Sequence, residues 1–216
     1  MRVMSLRAVI FDLGGVVVPS PIEAFRVYER SAGLPHRFIS EVIVDSGDDG
    51  AWARLERGAL SLEEFGREFE KECAAAGQVV RSEDMIGCLY ASGGPRSEML
   101  TAIARIREEG LKTAALTNNW AVDDTPDVSD RKLDMSERFD IVIESHAEGL
   151  RKPDPRIYEL TCERLGVTPP ESAFLDDLGV NLKPARAMGM TTIKVEDPQV
   201  ALAELESALG FSLSEE

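Results

Sequence analysis

Carboxylates, a lysine and a Thr-Asn pair, residue types able to do chemistry, recur along this chain, most of them at the ends of apolar runs. Asp12 closes the apolar run AVIFD and stands just before Gly14-Gly15. A carboxylate at a strand end faces the crevice above a sheet, and the glycines let the backbone turn sharply and approach a ligand. Asp176-Asp177 follows the apolar SAFL. Two adjacent carboxylates facing a third repel one another unless a cation joins them. A hard, all-oxygen donor set suits Mg2+, which keeps several waters and shares its shell with a phosphate oxygen. Lys152 sits in RKPDP, where Pro153 biases it to an extended backbone. From there its ammonium can reach inward, a point charge between a nucleophile and a phosphate. Thr117-Asn118 offer a hydroxyl and an amide to phosphate oxygens. Each group has an ordinary alternative: a turn cap for Asp12, an acidic turn at 176–177, a solvated lysine, a turn after a strand. Four such groups in order, three of them at strand ends, are hard to obtain from turns alone.

The elements that must position them are short apolar runs: AVIFD, TAALTNN, IVIES, SAFLDD and TTIKV. Their continuous apolar character predicts strands covered on both faces, as in a parallel sheet. Helical patterns separate them. SEMLTAIARIREEG carries apolar residues at Met99, Leu100, Ile103 and Ile106 and stops at Gly110. Asp154-Pro155 reads as an N-cap with proline at the first helical position, and Gly166 ends that helix. NLKPARAMG is a further short helix closed by Gly189. The alternation predicts an α/β, Rossmann-like parallel sheet, whose ligands bind beyond the carboxyl ends of the strands.

Residues 19–92 break the alternation. Ser20 to Glu23 reads as a capping box with Pro21 at the first helical position, and Ser61 to Glu64 as a second box opening a helix to about Ala76. No strand pattern appears there. The expected organisation is a core of residues 1–18 and 93–216 with an all-helical cap of residues 19–92.

Composition narrows the function. At 216 residues and 44% hydrophobic, the chain can build a full core. A net charge of −15 argues against nucleic acid and against anionic membranes, which reward Lys and Arg. It also means that a phosphorylated substrate needs a strong local cation. Cys73, Cys88 and Cys162 are isolated and odd in number, so thiols in a reducing compartment are expected, with a cytosolic location. No stretch has the length of a bilayer span. Oligomeric state leaves no mark.

FDLGG, LTNN, RKPDP and FLDDLGVN resemble, in order and spacing, the four motifs of the haloacid dehalogenase-like superfamily. TNNWAVDD, RKPDPRIY and FLDDLGVNLKPARAMGM are similar to its subgroup of phosphatase domains found at the N-termini of soluble epoxide hydrolase and of acyl-CoA dehydrogenase family member 10. WARLERGALSLEEF is similar to the helical cap of those relatives. The resemblance implies a Mg2+-dependent phosphatase acting on a small phosphorylated metabolite. Asp12 is then the nucleophile and a metal ligand, joined at the metal by the Gly14 carbonyl and Asp177. Asp176 orients Lys152 or the metal waters, Thr117 and Asn118 hold the phosphate, and Asn181 supports that binding loop beside Asp177.

There is one departure. Phosphatases of this superfamily usually carry a second Asp two residues after the nucleophile, as general acid and base, and here that position is Gly14. General acid-base assistance contributes on the order of 10^2 to 10^4 in rate. Two other readings share the motifs: a 2-haloacid dehalogenase using Asp12 without a metal, and a phosphate-binding module that has lost turnover. His146, just after IVIES, is a conceivable substitute proton donor, and His36 is expected on the surface of a cap helix. Trp52 either shapes a substrate pocket or packs the cap. The acidic stretch from Val122 to Asp134 reads as a solvated loop.

Overall fold

A computed structural model of the chain describes residues 5–121 and 135–214, so the acidic stretch 122–134 lies outside the described residues. Five strands form one sheet: β1 (Ala8–Phe11), β2 (Lys112–Thr117), β3 (Ile141–Glu144), β4 (Ser172–Asp176) and β5 (Thr191–Lys194). Their order is β3-β2-β1-β4-β5, and every neighbouring pair is parallel. All five expected apolar runs are present as strands.

Between β1 and β2 the chain is helical: α1 (Pro21–Ala32), α2 (Phe38–Ser46), α3 (Ala51–Glu56), α4 (Leu62–Ala75), α5 (Ser82–Tyr90) and α6 (Ser97–Glu108). The later helices are α7 (Ser145–Glu148), α8 (Pro155–Leu165), α9 (Gly179–Ala187) and α10 (Pro198–Leu209). One face of the sheet buries Val9, Phe11, Ala115 and Leu175 against Met99, Ile103 and Ile106 of α6 and Leu205 of α10. The other buries Ile10, Leu116 and Phe174 against Ile157 and Tyr158 of α8 and Leu182 of α9. Burial on both faces is why these strands read as unbroken apolar runs. A third cluster, built on Phe25, Ile39, Trp52, Phe65 and Phe69, belongs to α1–α5.

Local signals held at most helix ends. The Ser61–Glu64 box forms with both hydrogen bonds, and Asp154 caps α8 through the Arg156 amide, with Pro155 at the first position. The Ser20 box does not form. The Ser20 side chain makes no cap hydrogen bond and instead donates from Oγ to Asp177 Oδ2 at 3.1 Å. His36 is exposed in the turn between α1 and α2 and is not on a helix. Among the described residues no helix is long and apolar enough to cross a membrane.

Candidate active site

Parallel strands bring their carboxyl ends to one edge, and there the predicted groups meet. Asp12 follows β1, held by its amide donating to the Leu175 carbonyl at 2.9 Å. Asp176 is the last residue of β4, with Asp177 next. Asp12, Asp176 and Asp177 each bring a carboxylate oxygen within 4.8 Å of the others. Lys152, 1% exposed, enters from the loop before α8. Its Nζ lies over the Phe174 ring, 5.6 Å from the centroid. Its Nζ lies 2.8 Å from Asp12 Oδ1 and 2.8 Å from Asp176 Oδ2.

Three carboxylates against one ammonium leave two negative charges unmatched in a buried place. Burial pushes the Asp12 carboxyl up, against the opposing pull of Lys152, and Asp176 adds to the rise. Burial and Asp176 push Asp177 up to about 6. Burial works against the Lys152 charge, but Asp12 and Asp176 outweigh it and hold the ammonium on. One divalent cation balances this cluster, and a set of carboxylate oxygens is the donor chemistry that Mg2+ takes. The residues therefore fit that ion.

The supporting contacts sort the remaining candidates. Asp176 Oδ1 accepts the Leu178 amide at 2.8 Å and Asn181 Nδ2 at 3.0 Å, and Oδ2 accepts Asn181 at 3.1 Å besides Lys152. Both Asp176 oxygens are thus hydrogen-bonded, Oδ2 to Lys152 among others, and Asn181 braces the carboxylate. Asn181 is 4% exposed, beneath the loop and directed at Asp176. The Asn118 side chain is likewise committed: Oδ1 accepts the Lys152 amide at 2.8 Å, and Nδ2 donates to the Lys152 carbonyl at 3.0 Å. It clamps the lysine's main chain. Thr117 ends β2 and is 6% exposed; its hydroxyl makes no hydrogen bond among the described residues.

Gly14 and Gly15 lie in a tight knot in which the amides of Val16, Val17 and Val18 donate to the Leu13 carbonyl, and Arg96 Nη1 donates to the carbonyls of Gly15 and Val16. Gly15 has φ 82°, and a Cβ there would stand 2.1 Å from Asp177 Oδ2. Glycine is needed here for both conformation and space. A Cβ at Gly14 would meet Pro21 Cδ at 3.1 Å, so the first turn of α1 occupies the space beside the missing carboxylate.

Trp52 is 7% exposed and packs edge-on against Phe25, Phe65 and Trp120; it packs the helical insertion. His146 pairs its Nδ1 with Asn119 Oδ1 at 2.8 Å. Sequence reasoning missed Glu56, a buried carboxylate on α3 bonded to Arg151 Nε at 2.7 Å. Its faint signal was the Trp52–Glu56 spacing of four, which puts the two on one face of the helix.

The description "haloacid dehalogenase-like hydrolase" matches residues 6–189. The chain is 42% identical to acyl-CoA dehydrogenase family member 10 of Mus musculus and 36% identical to bifunctional epoxide hydrolase 2 of Sus scrofa. Each match covers 97% of this chain but only 20% and 40% of the relative, so the chain spans well under half of either protein. It is 31% identical to a protein of Mycobacterium tuberculosis named a phosphatase, over 89% of this chain and 88% of that one. Among solved structures, a family enzyme of Bacteroides thetaiotaomicron in complex with magnesium and inorganic phosphate superposes with TM-score 0.62 at 21% identity, covering 89% of this chain and 97% of that one. The L-2-haloacid dehalogenase of Xanthobacter autotrophicus gives 0.59 at 24%, covering 94% and 83%. These two structures share the fold. With a family match over most of its length and a five-stranded parallel sheet flanked by helices, the chain belongs to the haloacid dehalogenase-like hydrolases.

Proposed function

We propose that the chain is a Mg2+-dependent phosphatase that hydrolyses a small phosphate ester through an aspartyl-phosphate on Asp12. The observation that carries this reading is the charge of the buried cluster, two units too negative until a divalent cation joins it. In that state a phosphate dianion would be repelled; with the cation, the site can receive one. Asp12, Asp177 and the Gly14 carbonyl would hold the ion. It would supply charge neutralisation at the phosphoryl oxygens and help orient the ester. Residues 19–92 serve as the cap over this site.

The chemistry of the side chains follows. An Asp12 carboxylate oxygen attacks phosphorus in line, the P–O bond to the alcohol breaks, and the leaving oxygen takes up a proton. Water then attacks phosphorus, releasing inorganic phosphate and restoring the carboxylate. Lys152, held charged between Asp12 and Asp176, stabilises negative charge on the transferring group. Thr117 turns its unengaged hydroxyl to a phosphate oxygen, while Asn118 acts on the phosphate through the lysine it clamps. Because residue 14 is glycine, the leaving oxygen lacks a carboxylic acid beside it, so esters with good leaving groups are favoured.

A relative named a phosphatase and a fold neighbour holding magnesium and phosphate support this reading. A 2-haloacid dehalogenase needs no cation, and its fold likeness alone leaves the unmatched carboxylates without a purpose. A cytosolic setting suits the free thiols of Cys73, Cys88 and Cys162. The test is a screen of phosphorylated metabolites with and without Mg2+, using Asp12→Asn as the blank. Mg2+-dependent phosphate release that vanishes in the blank is expected; release that persists in it removes Asp12 as nucleophile.

A further inference from the structure

Glu56 has no part in the reaction described above, yet it is a carboxylate only 6% exposed, at the C-terminal end of α3. Its partners come from both sides of the site. Oε1 accepts Trp52 Nε1 at 2.9 Å, and Trp52 sits in the aromatic cluster of the helical insertion. Oε2 accepts Arg151 Nε at 2.7 Å, and Asn118 Nδ2 stands 3.5 Å from it, at the outer limit of a hydrogen bond. The Glu56 carbonyl accepts Ser145 Oγ at 2.5 Å, and Ser145 Oγ also accepts the Asn119 amide at 2.9 Å. Two residues on, Gly58 passes so close to α7 that a Cβ there would lie 2.5 Å from the His146 carbonyl oxygen.

Arg151 and Asn118 are the chain neighbours of Lys152 and Thr117. Asn118 additionally brackets the Lys152 main chain at both amide and carbonyl. One carboxylate therefore touches both loops that carry the groups assigned to the phosphate. A buried carboxylate is costly to desolvate, and an ion pair there is weak evidence for stability alone; its placement between the two loops calls for a different account.

We propose that Glu56 is a positioning residue: it ties the helical insertion to the Thr117 and Lys152 loops and so sets where the hydroxyl and the ammonium stand at the phosphoryl group. This rests on the phosphatase reading. The tie is fixed on one side to the aromatic cluster through Trp52 and on the other to the Arg151 and Asn118 side chains, the latter bonded in turn to the Lys152 main chain. Among the described residues Glu56 makes no hydrogen bond to Asp12 or Asp177, so displacing it reaches those carboxylates only through Lys152.

The test compares wild type with Glu56→Gln, which keeps the shape, and Glu56→Ala, using p-nitrophenyl phosphate with Mg2+ and amide hydrogen exchange. In the variants kcat falls about 10- to 100-fold, the range for displacements of about 1 Å, and KM changes less than kcat. The amides of Asn119 and Lys152 exchange at least about tenfold faster, while β1 and β4 keep wild-type protection. Unchanged kcat in Glu56→Ala overturns the proposal, even if the two amides exchange faster, since the tie then positions nothing. Exchange that rises uniformly through the sheet overturns it too, as loss of stability alone. If the wild type itself has no turnover on the ester, the phosphatase reading fails instead, and exchange at the two amides alone decides whether the tie exists.

Discussion

Lowering the pH from about 7.5 to about 5 titrates the candidate metal site, because burial and Asp176 push Asp177 up to about 6 in the metal-free protein. Mg2+ must displace that proton, so its affinity follows the ionised fraction. About one unit below the pKa, roughly a tenth of the carboxyl is ionised and the affinity drops about tenfold. Asp12 is raised in the same direction, by burial against Lys152, so the slope can only steepen. The effect on stability has a definite sign. The folded carboxyl binds its proton more tightly than the ordinary value of 3.8 allows. Its contribution to the metal-free fold is therefore full below about 3.8 and is lost as pH rises through about 6. Mg2+ reverses this. At a hundredfold excess over Kd it stabilises by about 2.7 kcal/mol, which for a chain of this size raises Tm by roughly 5–10 °C. With the same Mg2+ and a tenfold weaker Kd at about pH 5, about 1.4 kcal/mol remains. Thermal unfolding with and without Mg2+ at the two pH values, repeated on Asp177→Asn, measures it. The shift should halve in wild type and disappear in the variant. A Mg2+ shift equal at both pH values, or one retained by Asp177→Asn, refutes the assignment.

Three more perturbations probe the same edge. Lys152→Met leaves Asp12 and Asp176 buried without their ammonium, and the metal-free protein should lose about 3–5 kcal/mol in denaturant unfolding, part of it recovered by Mg2+; a loss under about 1 kcal/mol contradicts the buried pair. Gly15→Ala drives a Cβ to 2.1 Å from Asp177 Oδ2 at a left-handed φ, and calorimetry should show Mg2+ binding weakened more than about tenfold, a cost beyond the roughly 1–2 kcal/mol of the backbone strain alone. Gly14→Asp supplies the missing acid but meets Pro21 at 3.1 Å. Paired with Pro21→Ala it should speed alkyl phosphate hydrolysis by about 10^2, whereas a double variant no faster than wild type shows that another group already delivers the proton.

Much of the fold was legible because its determinants are local. Strands buried on both faces announce themselves as apolar runs, and Ser61, Asp154 and Gly166 mark helix ends by chemistry within a few residues. The acidic groups of the site were legible because parallel strands place their last residues together, and Lys152, on a loop, because Pro153 keeps it off a helix. What escaped depends on contacts distant in sequence. Ser20 has the pattern of a helix cap, but a carboxylate 157 positions later takes its hydroxyl. Asn118 looked suited to phosphate, while the lysine loop 34 positions on engages both ends of its amide. Glu56 is one of 39 acidic residues, and nothing in its neighbourhood foretells that Arg151 will bury it.

Borohydride reduction during turnover bears most directly on the central claim, since an acyl phosphate on Asp12 is reduced to the corresponding alcohol and leaves homoserine at that position. Peptide mass spectrometry of protein quenched with Mg2+ and a hydrolysable phosphate ester should find homoserine at residue 12, and none when Mg2+ is omitted. Full phosphatase activity with residue 12 recovered only as unmodified aspartate would contradict the covalent mechanism.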